Sequence, residues 1–179
     1  MQPTAMAKSD SFFIRAKVTT NGSTYVPAEI DLGSFVNLGV SKSTLLRIHN
    51  ISVQYADTTG PEYPIYSIAV PPAKAAWQLT TQSQTAMVTA DDKSLVSSGS
   101  LTAYGDSTAT THPQGLFQVA DMNPQMWTQG YLVGVDSLFL ACDTIGTFAS
   151  GDMDISIVME CTLENATQAN SVALALSQQ

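Results

Sequence analysis

The stretch DISIVMECTL, residues 154–163, decides the fold class. Apolar side chains recur there at every second position, which is the period of a β-strand with one buried face. They are Ile155, Ile157, Met159 and Cys161. The stretch YLVGVDSLFLA, residues 131–141, is equally dense in strand-forming residues, and Gly146 and Gly151 lie between the two. We therefore predict two strands joined as a hairpin.

The same alternation appears near the start of the chain. Residues 12–19, FFIRAKVT, place apolar and polar side chains on opposite faces, which predicts the first strand. Asn21-Gly22 is typical of a tight hairpin turn, and the alternation resumes over residues 26–32. Pro27 has no N–H to donate to a neighbouring strand, so the second strand is predicted to lie at a sheet edge.

A change of phase marks the third strand. Leu46 and Ile48 share one parity, whereas Ile51 and the apolar residues after it take the other. An extra residue near His49 and Asn50 would return all of them to one face, so a β-bulge is predicted there.

The remaining segments are short. Strand candidates are residues 65–70, 77–81, 85–89 and 116–119, while residues 91–100 are predicted as a polar turn and 105–115 as a loop. The alanine-rich residues 165–177 predict either a short helix or an ordered tail. No long amphipathic helix separates the strands. We predict an all-β antiparallel sandwich of the jelly-roll type, with residues 1–10 as a flexible arm and 11–179 as a single domain.

Charge is scarce and mostly negative. Charged residues make up 12% of the chain, against roughly a quarter in typical soluble domains, and the formal net charge is −8. Burying a surface of hydroxyls, amides and alanines costs little charge desolvation, which suits a subunit with large contacts. An acidic chain as a whole is repelled by nucleic acid phosphates. No stretch approaches the roughly twenty apolar residues of a membrane span, and no signal peptide or membrane contact is expected.

No catalytic signature is present. The phosphate-binding, dinucleotide-binding, zinc-protease and nucleophile-elbow motifs are all absent. His49 and His112 are more simply explained as a bulge residue and a loop residue than as parts of a triad. We expect no enzyme activity, no catalytic residues, no cofactor and no metal site. Calcium at Asp143, Asp152 and Asp154 is the weaker alternative to solvated loop ends, and a disulfide between Cys142 and Cys161 is likewise the less favoured state.

Two sets of residues are candidates for contacts. Phe13, Arg15 and Lys17 take the outward parity of the first strand, where an aromatic ring and two cations would suit single-stranded nucleic acid; a solvated strand face is the simpler interpretation. Trp127, Met122 and Met126 are candidates for an interface, because aromatic residues and methionine are enriched at contact centres. Core packing explains Trp77 more economically.

Several segments resemble the small single-jelly-roll capsid proteins of circular single-stranded DNA viruses, including SFFIRAKV, LLRIHNISVQY and GYLVGVDSLFLACD. The resemblance implies a virion coat subunit that self-assembles into an icosahedral shell, made in the host cytoplasm or nucleus. Such capsids often carry a basic arm, whereas only Lys8 precedes the first strand here. Packaging would then depend on weak genome contact by Arg15, Lys17 and Arg47, on counterions, or on another protein. The alternative function is a lectin-like or receptor-binding module of a phage tail or cell surface, with Tyr63, Tyr66 and Trp127 as contact residues.

Overall fold

The computed structural model describes residues 10–38, 42–67, 72–104, 115–149 and 151–179. In these residues the chain forms nine strands, a single 3-10 turn at Pro124–Met126 and one helix, α1, at Gln168–Ser177. The strands are β1 Phe12–Thr19, β2 Val26–Asp31, β3 Lys42–Asp57, β4 Ala73–Thr80, β5 Leu95–Tyr104, β6 Gly115–Met122, β7 Tyr131–Val133, β8 Ser137–Ile145 and β9 Met153–Thr167.

The strands form two antiparallel sheets with jelly-roll topology. Sheet 1 has the order β1-β9-β3-β7, and sheet 2 has the order β2-β8-β4-β5-β6. β1 to β4 alternate between the two sheets, and β5 and β6 follow β4 in sheet 2. β7, β8 and β9 then alternate between the sheets again. Without β6, each sheet has the four strands of a jelly roll, so the predicted fold class is confirmed. β6 extends sheet 2 by one strand.

The core lies between the two sheets. Ile155, Ile157 and Met159 of β9 are fully buried, as their alternation in the sequence predicts. Trp77 of β4 packs into the same cluster, and its indole Nε1 donates a hydrogen bond of 2.9 Å to the hydroxyl of Tyr55 on β3. Burial raises the pKa of Tyr55 to about 12, although this hydrogen bond works in the opposite direction. The bond joins the two sheets through the core and satisfies two polar atoms there.

The predicted bulge is present in β3. Its register against β9 shifts between Ile48 and Asn50, so His49 is the extra residue. Ile48 and Ile51 are both buried although they differ in parity, which is the result that the change of phase requires. The prediction that Pro27 belongs to an edge strand is also confirmed, because β2 is the outermost strand of sheet 2.

Both predicted hairpins are wrong. β1 pairs with β9 rather than with β2, although the turn between β1 and β2 does contain Gly22 with a φ of +53°. β8 and β9 lie in different sheets, where β8 pairs with β2 and β4. Alternation and turn residues identify strands, but in a jelly roll the chain crosses to the other sheet at these turns, so neighbours in sequence are not partners.

Three shorter predictions also need correction or completion. β5 begins at Leu95, inside the segment predicted to be a turn, and residues 85–89 form no strand. The loop at 81–94 instead covers the outer surface of sheet 2, where the amide of the buried Gln78 bonds to the backbone of Ala86 and Val88. The C-terminal segment is a helix capped by Thr167. The predicted arm at 1–10, the strand at 65–70 and the loop at 105–115 lie partly or wholly outside the described residues.

Candidate self-association surfaces

The two sheets have four edge strands, and each exposes backbone groups that could pair with another chain. Three of these edges carry features that discourage pairing. On β2, Pro27 removes a donor and the exposed Glu29 and Asp31 add charge. On β1, Arg15 and Lys17 place positive charge beside the edge. Charged side chains and proline are common means by which natural sheets protect their edges.

The edge formed by β7 is closed by a side chain. The amide of Gln178, just after α1, donates to the carbonyl oxygen of Leu132 at 2.6 Å and accepts from the N–H of Gly134 at 2.8 Å. These are the two kinds of bond that a neighbouring strand would make. The backbone carbonyl of Gln178 also accepts a hydrogen bond of 2.6 Å from Thr81, which ties the end of the chain to sheet 2.

A second glutamine closes the edge of β3 beyond the short β7. The amide of Gln125 accepts from the N–H of Ile51 and donates to its carbonyl oxygen, both at 3.1 Å. Ile51 follows the bulge, where regular pairing to β7 has already ended. Gln125 and Gln178 therefore occupy this side of sheet 1 as substitutes for strand backbone.

Over residues 115–120 the fourth edge, β6, lacks such protection, and its exposed Asp121 follows at a bulge. Residues 115–120 carry no charged side chain, and the strand is exposed or half-exposed along its whole length. Leu116 is 54% exposed and Phe117 61%. Tyr104, which pairs with Gly115 at the end of β5, is also exposed. Because sheet 1 has one strand fewer, no described strand of that sheet covers β6.

The predicted interface residues lie at the end of this strand and in the turn after it. Met122 ends β6 and is half-buried, whereas Met126 and Trp127 in the next turn are exposed. Trp127 packs beside Tyr131 with 6.2 Å between the ring centroids. Exposed apolar residues thus occur at both ends of β6 and in the turn after it, with the exposed Asp121 between them. We call this set the β6 surface: Tyr104, Leu116, Phe117, Met126 and Trp127.

The predicted nucleic-acid residues share the outer face of sheet 1. Phe13 is exposed, and the Arg15 guanidinium lies 5.8 Å from the centre of its ring. Lys17 forms an ion pair with Asp154 at 2.9 Å. Arg47 bonds to both carboxylate oxygens of Glu164 and to the carbonyl oxygen of Gln129. Two of the three predicted cations are therefore already paired with carboxylates.

Two further pairs of polar side chains on this face also share hydrogen bonds. His49 shares a hydrogen bond of 2.8 Å with Thr162, and Asn50 donates to Glu160 at 2.6 Å. The pKa of Arg47 is raised, mainly by its hydrogen bond to Glu164. The geometry explains His49 as the bulge residue that the phase change predicts; His112 lies outside the described residues.

The three carboxylates considered for calcium are each used by protein donors. Asp152 accepts from the N–H of Gly22 at 2.8 Å, Asp154 from Thr19 and Lys17, and Asp143 from the N–H of Thr144. Within the described ranges, no group of three or more His, Cys, Asp or Glu side chains is placed to hold a metal. Calcium binding stays the untested, weaker alternative, and a melting temperature unchanged by chelation would contradict it.

The two cysteines are free and buried on facing sheets, Cys142 on β8 and Cys161 on β9. Burial raises the pKa of each thiol to about 12, so both are thiols rather than thiolates at neutral pH. In the portion of the chain that the structure describes, no helix is long and apolar enough to cross a bilayer.

Sequence reasoning missed the β6 surface as a unit. Leu116 and Phe117 were assigned only to a brief strand, and Tyr104 to no site. The available signal was the run GLFQVA, which follows a predicted loop and has no charge, whereas the edge strands β1 and β2 carry charged residues and β2 also carries Pro27. Gln125 and Gln178 give no comparable signal, since their role depends on which backbone they meet.

No protein-family model matches the chain, and no curated protein matches its sequence. Among solved structures, similar folds include VP1 of human polyomavirus 12 in complex with 3'-sialyllactosamine, with 8% identity and a TM-score of 0.43 over 88% of this chain and 100% of that one. VP1 of New Jersey polyomavirus has 9% identity, the same coverages and a TM-score of 0.42. VP1 of trichodysplasia spinulosa-associated polyomavirus has 12% identity and a TM-score of 0.35 over 92% and 96%.

These VP1 proteins are jelly-roll viral capsid proteins. They belong to a different virus group from the circular single-stranded DNA viruses that the sequence resemblance names. Their likeness to this chain is too distant to carry a function to it.

Proposed function

We propose that the chain is a structural coat subunit that self-assembles into the icosahedral shell of a virion. The observation that carries this proposal is the β6 surface, which leaves large apolar side chains exposed on a complete jelly roll. Large apolar side chains that stay exposed on a folded domain are typical of protein contact sites. The low charge of the chain reduces the desolvation cost of the additional contacts that a closed shell needs.

On this proposal the role is mechanical rather than catalytic, the partners are copies of the chain, and the protein resides in the virion. The test is particle size of the purified protein by light scattering and negative-stain electron microscopy. Closed shells of uniform diameter are expected. A monomer or small ring at every protein and salt concentration would contradict the coat-subunit function.

Genome contact by the outer face of sheet 1 is a separate part of the proposal. Since Lys17 and Arg47 are paired with carboxylates, Arg15 and the exposed Phe13 would make the main contacts. Changing both Arg15 and Lys17 to Glu should reduce the nucleic acid retained by assembled particles. Lys74→Glu combined with Lys93→Glu, on the sheet 2 side, is the control of equal charge change, and equal retention in both variants would remove this contact from the proposal.

A glycan-binding module is the second candidate, and one cleft favours it. Tyr63, Tyr66 and Asp57 line a cleft of about 240 Å³ at the end of β3. Tyrosine rings offer an apolar face and a hydroxyl, which suits sugar binding. Trp127, the third predicted contact residue, packs beside Tyr131 instead and does not line this cleft. Binding on a glycan array that is lost in Tyr63→Ala, without formation of shells, would favour this function.

A further inference from the structure

We propose that β6 pairs antiparallel with β6 of a second copy around a two-fold axis at Gln118, which joins two copies of sheet 2 into one continuous sheet. This inference rests on the proposed self-assembly and specifies one of its contacts. Such a contact requires a free strand edge, a partner of suitable charge, and a register in which the side chains match.

The free edge is defined by the register of sheet 2. β6 pairs with β5 from Tyr104↔Gly115 to Gly99↔Ala120, and pairing becomes irregular between Ser98 and Gly99, where Asp121 is the extra residue. Residues 115–120 are therefore a regular strand, about 20 Å long at the usual rise per residue. In the described part of the chain, no strand pairs with its other side.

The uncharged edge of β6 is where a second copy meets the least electrostatic repulsion. Two copies of a chain with a net charge of −8 repel each other over most of their surfaces. Residues 115–120 carry no charge, so this strand can approach its own copy without placing carboxylates opposite one another. The other three edges are protected by Pro27, by charged residues or by Gln178. Pairing between β6 strands is therefore the least opposed contact between sheet edges.

The side chains fit one register. A two-fold axis perpendicular to the sheet places directly opposite residues on the same face, so their positions must differ by an even number. With the axis at Gln118, Phe117 faces Val119 on the outer side and Leu116 faces Ala120 on the inner side. Gln118 faces its own copy, where two amides can bond to each other.

Neighbouring registers fit less well. Moving the axis to Val119 would place Phe117 opposite Asp121, a carboxylate against an aromatic ring. Moving it to Phe117 would place the apolar Leu116 opposite the polar Gln118. In the proposed register Asp121 faces Gly115, which has no side chain to contact, and the aromatic and β-branched pair of Phe117 and Val119 occurs twice.

Cysteine cross-linking tests this register directly. Both natural cysteines are buried, so introduced thiols on β6 would be the accessible ones among the described residues. Gln118→Cys protein should form covalent dimers on mild oxidation of the assembled state, because directly opposite side chains lie close enough for a disulfide or a short thiol-reactive linker. Ile145→Cys, at a highly exposed position at the end of β8, is the control for random collision.

Two further variants separate this register from other contacts. Leu116→Cys alone should give no dimers, since the two copies of that residue lie about 13 Å apart along the strands. Leu116→Cys mixed with Ala120→Cys before assembly should give them. Melting temperatures near that of the unchanged protein would establish that each variant is folded.

The outcomes distinguish the pairing from the proposed function. Dimers with Gln118→Cys, together with the mixed pair, support β6 pairing. The pairing would be overturned, and the coat-subunit function left intact, if assembled particles cross-linked no more through Gln118→Cys than through Ile145→Cys. The same conclusion would follow if Leu116→Cys linked to itself. A protein that never assembles would overturn the function itself.

Discussion

At the scale of single residues, Asp154 joins the first and last strands of the fold. Its carboxylate accepts hydrogen bonds of 2.6 Å from Thr19 and 2.9 Å from Lys17. Burial acts to raise the pKa of Asp154, but these bonds and the charge of Lys17 together lower it below 3.8. The ionised carboxylate is thus the form that the folded state stabilises.

We expect Asp154→Asn to lower the free energy of unfolding at pH 7 by about 1 kcal/mol, with most of the effect from the Thr19 bond because Lys17 is largely exposed. Since the folded-state pKa is depressed, the contribution is present above the unfolded pKa near 3.8 and is lost as the pH falls through the folded pKa. Urea unfolding from pH 7 to pH 2 measures this. A difference between the two proteins that persists at pH 2 would contradict the assignment.

Glycine geometry provides a second test at this scale. Gly130 has a φ of +64°, and a Cβ there would clash with the carbonyl oxygen of Ile48. Gly22 has a φ of +53° but meets nothing within 4 Å. Gly130→Ala should therefore lower the free energy of unfolding by about 3 kcal/mol or more, and Gly22→Ala by about 1 kcal/mol. Thermal unfolding compares them, and equal effects would mean that the clash at Gly130 is relieved.

At the scale of elements, sequence patterns located most strands but not their partners. The alternation in β1 and β9, the bulge at His49 and the edge position of Pro27 depend on neighbouring residues, so they could be predicted. The pairing of Phe12 with Cys161 depends on the path of the whole chain, so turn signals at Asn21-Gly22 suggested the wrong neighbour. The absence of charge over residues 115–120 was visible in the sequence, but the edge position of β6 was not.

The closure of β7 by Gln178 leads to a prediction about this edge. Gln178→Ala removes the amide that bonds to Leu132 and Gly134, and it leaves both backbone groups without that partner. We expect a loss of about 2 kcal/mol in the free energy of unfolding. Gln179→Ala, which changes the exposed neighbouring residue, is the matched control in chemical denaturation. Similar stability of the two variants would show that water replaces the amide.

At the scale of the whole molecule, net charge opposes the association that the β6 surface favours. Copies that each carry −8 repel one another, and salt screens this repulsion over roughly 8 Å at physiological ionic strength. Assembly should therefore proceed further at about 0.5 M salt than at about 0.05 M, as measured by light scattering. The opposite trend would mean that ion pairs between copies, rather than apolar contacts, hold the assembly.

The pairing of β1 with β9 also sets an order of events during synthesis. Phe12 leaves the ribosome well before Cys161, its partner, so the first strand has to wait until β2 to β9 have been synthesised. β3 has the same requirement, because β9 lies between it and β1. A topology of such distant pairs folds slowly and late. Sheet 1 can therefore form only after β9 has been synthesised, and a nascent chain that lacks β9 cannot yet close the jelly roll.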